Sequence, residues 1–224
     1  LSRGLGDVYK RQIQTLPDRM AKVQARLDAT KQQVAAAKAE LGKPFPQEEE
    51  LKTKSDRVYP EIVINAPNPA EAAVLQSDYA GKGSETTAIM TYIYQNYITR
   101  LYNEDVAEVL ERIAITEMHH HDILGTTIAR LGGNPVIGAD NCWWTGANVN
   151  YAVNLKEMLL DNIKAEQAAI QNYRRTIAKL TNQSIIETVE CIIADEEVHI
   201  ATFAVLLKYC LLYTSPSPRD RQKS

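Results

Sequence analysis

Carboxylates and histidines inside apolar helical stripes constrain the fold of this 224-residue chain more than any other feature. Apolar residues recur at steps of three and four along four segments, as on the buried face of an amphipathic helix. The second and fourth segments each carry a Glu-x-x-His pair within the stripe, and the first and third each carry a single glutamate. In chain order these residues are Glu85, Glu117, His120, Glu166, Glu196 and His199.

Capping signals predict where the four helices begin and end. We expect the first helix to run to about Tyr102, although Gly81 and Gly83 weaken it as one unbroken helix. The second ends at Gly132-Gly133, because glycine commonly follows a helix C-terminus. An amide or hydroxyl side chain followed three residues later by an acid or amide is typical of a helix start. This spacing predicts starts at Asn68, Asn154 and Ser184. Glu104 and Asp105 in the first turn suit the helix dipole and predict another start at Asn103.

The lengths of the connections predict how these helices are arranged. Helices one and two, and helices three and four, are joined by only a few residues, so each pair forms antiparallel neighbours. Residues 132–151 form a far longer connection that includes Trp143 and Trp144. We expect these tryptophans to cover the bundle, with a lid over the site as the alternative. The fold class is therefore all-α: a four-helix bundle with one long crossover connection between helices 2 and 3.

Four buried glutamates favour bound cations. An ionised carboxylate inside a protein costs several kcal/mol unless it is paired or bound to a metal. Two divalent ions balance four such charges, and residues at i and i+3 of a helix point the same way, so each Glu-x-x-His pair can bind from one face. A single pair of this kind is more often solvated, but the joint pattern predicts a two-metal site. Tyr92 and Tyr173 are interpreted as core tyrosines, or as hydrogen-bond partners or radical relays of that site.

The chain is also divided into regions. Residues 18–41 predict a helix with a short coiled-coil seam, and Pro44 and Pro46 end it. The phrase ELGKPFPQEEELKTKS resembles the C-terminal stretch of helicase and methylase polypeptides of mobile elements; an ordinary N-terminal extension is the alternative. LSRGLGDVYKRQ and CLLYTSPSPRDRQKS resemble translated sequencing adapters. The expected regions are a foreign tail at 1–12, a separate helical extension and linker at 13–58, the metal domain at 59–209 and a second foreign tail at 210–224.

Composition excludes several classes of function. A formal net charge of -3 offers no basic surface for nucleic acid. No apolar run approaches the roughly 20 residues needed to cross a bilayer, and the chain start lacks a secretory signal, so we expect a cytoplasmic protein without membrane partners. The three cysteines include no Cys-x-x-Cys pair, which argues against a disulfide framework and a rubredoxin-type iron site.

The sequence resembles the manganese-catalase-like branch of the ferritin-like superfamily over residues 59–209. The phrases that carry the resemblance are DYAGKGSETTAIMTYIYQ, LERIAITEMHHHDILGTTIARLGGNP, AEQAAIQNYRRTI and IIADEEVHI. The resemblance implies that Glu117 bridges the two metals and that Glu196 is a catalytic acid and base beside the substrate. In di-iron relatives the corresponding glutamate is a ligand instead. The other implied ligands are Glu85, His120, Glu166 and His199.

The same resemblance implies a function. It predicts disproportionation of hydrogen peroxide by two Mn ions, or by two Fe ions, in a homo-oligomer. A di-iron rubrerythrin-type peroxidase or oxidase is the nearest alternative. Ferritin-like iron storage and a structural coat-type protein without turnover are the others.

Overall fold

The computed structural model describes residues 17, 20–32 and 58–214, with side chains described as far as residue 210. The chain divides into two compact units, Leu1–Glu50 and Leu51–Ser224. In the first unit residues 20–32 are helical, and the seam residues Met20, Val23 and Leu27 are all exposed. The rest of the predicted seam, residues 34–41, lies outside the described residues.

The second unit is the predicted four-helix bundle, and the all-α fold class is confirmed. The helices pack as two hairpins, α2 against α3 and α4 against α5. The crossover carries a short antiparallel pair of strands and one 3-10 turn, Gly146–Asn148. The elements are α1 (Pro69–Ala80), α2 (Glu85–Thr99), α3 (Glu104–Arg130), β1 (Gly138–Ala139), β2 (Cys142–Trp143), α4 (Leu155–Ile177) and α5 (Gln183–Thr214).

The first helix of the bundle is interrupted, so its prediction as one helix to Tyr102 is wrong. The backbone turns out of the helix at Gly81, where an added Cβ would lie 2.4 Å from the carbonyl oxygen of Ser77. Ser84 Oγ donates a hydrogen bond to the Gly81 carbonyl at 2.7 Å. The break makes Glu85 the first residue of α2, where unpaired backbone N–H groups favour a negative charge.

Side-chain caps confirm three of the four predicted helix starts. The side chains of Asn68, Asn103 and Asn154 accept hydrogen bonds from the backbone N–H three residues later. The prediction of Ser184 as the fourth cap is wrong. Asn182 Oδ1 accepts from the N–H groups of Ser184 and Ile185, and α5 begins at Gln183.

A polar layer divides the core in two. One apolar cluster is built from residues such as Leu124, Ile128 and Ile192, and the other from residues such as Leu110 and Phe203. Along α3, α4 and α5 the predicted glutamates and histidines lie between these clusters, buried about midway along each helix. The site is therefore held between two packed apolar regions.

The crossover connection lies against α1 and α2. Gln76 Nε2 donates to the carbonyl oxygens of Val136 and Gly138, each at 2.7 Å. Trp144 Nε1 donates to Thr87 Oγ1 at 2.8 Å, whereas Trp143 is 74% exposed. The expectation that both tryptophans cover the bundle is thus correct for Trp144 alone.

The described part of the chain contains no helix with the length and apolarity to span a membrane. Helix α5 continues to Thr214, into the segment from residue 210 that the sequence analysis treats as a tail. The four-region division of the chain stays a prediction.

Candidate metal centre

All six predicted site residues lie together in the polar layer. Every one of them is buried, from His120 at 0% exposed to Glu85 and His199 at 4%. Their oxygen and nitrogen atoms form two groups, in each of which the atoms lie within 4.8 Å of one another. We call them the His120 half-site (Glu85, Glu117, His120, Glu196) and the His199 half-site (Glu117, Glu166, Glu196, His199).

The two shared glutamates span both half-sites. Glu117 Oε2 lies 3.1 Å from His120 Nδ1, while its Oε1 lies 2.9 Å from His199 Nδ1. Glu196 repeats this arrangement, with Oε1 3.3 Å from His120 Nδ1 and Oε2 2.9 Å from His199 Nδ1. Each of these carboxylates thus offers one oxygen to each half-site, which is the arrangement that a bridging ligand requires.

Electrostatics shows that the site disfavours further negative charge. Burial, followed by the negative charge of Glu117, raises the pKa of Glu85 well above its ordinary value. Burial, followed by the charges of Glu196 and Glu117, does the same to the pKa of Glu166. Burial alone would also raise the pKa of Glu117, but His199 and His120 outweigh it and lower that pKa. The cluster is therefore short of positive charge.

The pKa values of both histidines are raised, although burial alone would lower them. Burial would lower the pKa of His120, but hydrogen bonds to Asp195 and Glu117 raise it well above its ordinary value. Burial would likewise lower the pKa of His199, and Glu117 and Glu196 raise it. The surrounding carboxylates thus favour positive charge beside the Nδ1 atoms of both histidines.

Two buried oxygens test whether cations fit the site. Within the part of the chain that the structure describes, Glu85 Oε2 and Glu117 Oε1 accept no hydrogen bond. His199 Nδ1 lies close to Glu117 Oε1, but without the alignment of a hydrogen bond. A buried acceptor left without a partner costs roughly 1–3 kcal/mol, and more when it is charged. Cations among these atoms would satisfy both oxygens. Carboxylate and imidazole donors suit Mn and Fe, so the residues fit two such ions.

Two buried tyrosines cross-connect the single glutamates. Tyr92, seven residues after Glu85 in the chain, donates its hydroxyl hydrogen bond to Glu166 Oε1. Tyr173, seven residues after Glu166, donates to Glu85 Oε1. Both tyrosines are core residues, as the sequence analysis favours, and both also form the hydrogen bonds given as an alternative. The bonds tie α2 to α4 across the site.

Sequence reasoning missed two further residues of the site, Asp195 and Tyr59. Asp195 Oδ2 lies 3.4 Å from His120 Nε2 and accepts a 2.6 Å hydrogen bond from the Tyr59 hydroxyl. Burial would raise the pKa of Asp195, but its bonds to His120 and Tyr59 lower it. The carboxylate that orients His120 is therefore ionised. Asp195 directly precedes Glu196 in the sequence, whereas nothing in the sequence distinguishes Tyr59.

The histidines on either side of His120, His119 and His121, lie outside the two half-sites. His119 is exposed and meets the ring of Tyr59 edge-on, with ring centroids 5.2 Å apart. His121 stacks on Tyr79 at 4.2 Å.

The family profile described as Rubrerythrin matches residues 82–207, which is more than half of the chain and includes all six residues. The chain belongs to the rubrerythrin family. This membership, together with the fold, confirms the expected place in the ferritin-like superfamily of di-metal carboxylate proteins.

Individual relatives agree with the family. A probable manganese catalase of Clostridium acetobutylicum is 22% identical over 165 residues, which cover 64% of this chain and 72% of the relative. The crystal structure of KatB, a manganese catalase from Anabaena PCC7120, matches with a TM-score of 0.64 and 23% identity, over 70% of this chain and 80% of that one. The structure of a Desulfovibrio desulfuricans bacterioferritin with a diiron site matches with a TM-score of 0.53 and 23% identity, over 64% of this chain and 84% of that one. The two structural matches show a shared fold.

Proposed function

We propose that this chain binds two divalent transition-metal ions and disproportionates hydrogen peroxide, as a manganese-catalase-like oxidoreductase. The observation that carries the proposal is the pair of shared carboxylates, Glu117 and Glu196, each with one oxygen toward each buried histidine. The similarity to a probable manganese catalase supports the choice of reaction.

The residues have distinct proposed roles. Bound ions would supply the change of oxidation level and polarise the peroxide. Glu85 and His120 would hold one ion, Glu166 and His199 the other, and Glu117 would bridge them. The reaction removes two protons from one peroxide, released as dioxygen, and delivers two to another, released as two waters. Glu196 lines the cavity beside the site and is proposed to hold one of these two protons between the steps, while water in that cavity takes up and returns the other.

A second candidate is a di-iron peroxidase or oxidase of rubrerythrin type. Membership of the rubrerythrin family and the fold shared with a diiron bacterioferritin favour it. In that case Glu196 is a metal ligand, and peroxide is consumed only when a reductant is supplied. The donor atoms are compatible with either Mn or Fe.

The test loads the full chain with Mn²⁺ or with Fe²⁺ and measures metal per chain and oxygen release from peroxide. We expect two Mn ions per chain and oxygen evolution. Glu196→Gln should retain the metal and lose oxygen release, whereas Glu197→Gln, at the exposed neighbouring position, should change neither. Two bound Mn ions without oxygen release would reject the catalase proposal and leave the metal site intact.

Assembly distinguishes the remaining alternatives. We propose a homo-oligomer in the cytoplasm, with hydrogen peroxide as its small-molecule partner. Light scattering of the metal-loaded protein should give a small oligomer. A very large shell filled with mineral would indicate iron storage, and bound metal without any peroxide consumption would indicate a structural role.

A further inference from the structure

A cavity of about 250 Å³ connects the candidate metal centre to the surface between α2 and α4. Its inner end is lined by the site residues Glu85, Glu166 and Glu196, and its outer end by the exposed residues Lys82 and Ala165. At about 30 Å³ of liquid volume per water molecule, it has room for several waters or a few molecules the size of peroxide.

Small side chains on facing helices explain this opening. Ala88 and Thr91 of α2 and Ala165 and Ala169 of α4 all line the cavity. Each of these helices packs chiefly against its own hairpin partner, α2 on α3 and α4 on α5. The side chains between α2 and α4 are therefore too short to fill the space between the hairpins.

The crossover connection bridges the cavity at its outer side. The Asn150 backbone N–H donates to Thr91 Oγ1 at 3.4 Å, and Asn150 Nδ2 donates to Asp161 Oδ2 at 3.2 Å. Thr91 belongs to α2 and Asp161 to α4, so one residue joins both walls. Asn150 itself lines the cavity.

The cavity leads to buried carboxylate oxygens that accept no hydrogen bond from the described residues. These are Glu85 Oε2 and Glu117 Oε1, and both residues line the cavity. The carboxylates at the inner end disfavour an anionic solute, because like charges repel at short range. A small, uncharged molecule that forms hydrogen bonds suits this lining.

We propose that this cavity is the entrance through which such a solute reaches the metal centre, and that Asn150 limits the width of that entrance. The identity of the solute as hydrogen peroxide rests on the proposed function, whereas the route itself does not.

The route can be tested without metal by cysteine labelling. Thr91→Cys places a thiol in the cavity, and the control Thr99→Cys places one in the same helix at a fully buried position outside it. Methyl methanethiosulfonate is the probe, and mass spectrometry of the α2 peptide separates this reaction from the native cysteines. We expect Thr91→Cys to react at least about tenfold faster than Thr99→Cys. Equal rates would overturn the proposal.

Blocking the entrance provides the second arm. Ala165→Trp, at the exposed outer end, should slow the labelling of Thr91→Cys by about tenfold, a barrier increase of about 1.4 kcal/mol. Ala204→Trp introduces the same side chain at an exposed alanine of α5 that does not line the cavity, and should not slow it. An unchanged rate in Ala165→Trp would also overturn the proposal.

The role of Asn150 is tested with a larger reagent. Asn150→Ala removes the side-chain bridge to Asp161 and should speed the labelling of Ala88→Cys, a cavity position that leaves the Thr91 hydroxyl in place, by the uncharged reagent 4,4′-dithiodipyridine. Asn148→Ala is the matched control, since Asn148 also lines the cavity but its side chain bridges nothing among the described residues. Equal acceleration by both variants would contradict the role of Asn150. A wild-type protein that releases no oxygen from peroxide would contradict the proposed function alone, because labelling reports the route independently.

Discussion

The two half-sites contain matching candidate ligands but differ in how their histidines are held. His120 Nε2 lies 3.4 Å from Asp195 Oδ2, which also accepts a hydrogen bond from the Tyr59 hydroxyl. For His199 Nε2, no hydrogen-bond partner is found within residues 58–214. The position that corresponds to Asp195 in the other Glu-x-x-His pair is Thr116, whose hydroxyl donates instead to the Arg112 carbonyl. Because such a partner fixes ring orientation, we expect the His120 half-site to bind its ion more tightly.

The largest expected effect comes from removing a ligand that both half-sites share. Glu117→Gln should reduce the bound metal from two ions per chain to almost none, because both half-sites lose a charged oxygen. Glu85→Gln and Glu166→Gln each affect a single half-site and should leave about one ion bound. Elemental analysis of the purified variants after metal loading measures this. Two ions retained in Glu117→Gln would contradict the shared-ligand geometry.

The pH should affect both half-sites strongly. The pKa values of Glu85 and Glu166 are raised, first by burial, and those of His120 and His199 are raised by surrounding carboxylates. Protons therefore occupy atoms that are proposed to bind metal. Metal therefore competes with protons, so affinity rises with pH and is lost as pH falls. Each displaced proton changes the affinity about tenfold per pH unit. Competition titrations with Mn²⁺ between about pH 6 and pH 8 measure the slope, and a flat profile would contradict the protonation argument.

Removing the anchor of His120 should weaken one half-site only. Asp195→Asn should lower the affinity of the tighter binding step by about 10–100-fold, the usual effect of losing such an orienting carboxylate. The matched change Thr116→Ala, at the corresponding position, should leave both steps unchanged. A two-step titration with Co²⁺ followed by absorbance separates the steps. Equal weakening of both steps by Asp195→Asn would show that the half-sites do not differ in this way.

A comparison of Glu117 and His120 with Asp195 and Tyr59 shows how much of the site could be predicted from the sequence. Glu117 and His120 could be predicted because a buried carboxylate and imidazole interrupt an apolar stripe of helical period. Asp195 lies beside the corresponding stripe of α5, and its contact with His120 depends on the alignment of α5 with α3. Tyr59 lies in an extended segment without periodicity. Both roles depend on tertiary packing. The break at Gly81, in contrast, involves local contacts with Ser77 and Ser84, and the sequence already indicates Gly81 as a weak point of the helix.

The smallest expected effect comes from Tyr59, one step further from the metal. Burial, the largest cause, raises the pKa of Tyr59, so its hydroxyl stays protonated and donates to Asp195. Tyr59→Phe removes this single hydrogen bond and should weaken the tighter binding step by about two- to tenfold. Asp195 keeps its charge in this variant, so the loss should be smaller than that in Asp195→Asn.

Tyr94→Phe is the control for this change. Among the described residues the Tyr94 hydroxyl bonds only to the Tyr151 carbonyl, at 3.4 Å, and to no site residue. Combining Tyr59→Phe with Asp195→Asn gives the decisive result. If Tyr59 acts by holding Asp195 against His120, the double variant should bind metal no more weakly than Asp195→Asn alone. Additive losses would mean that Tyr59 influences the site by another route, such as the packing of its ring against His119 and His120.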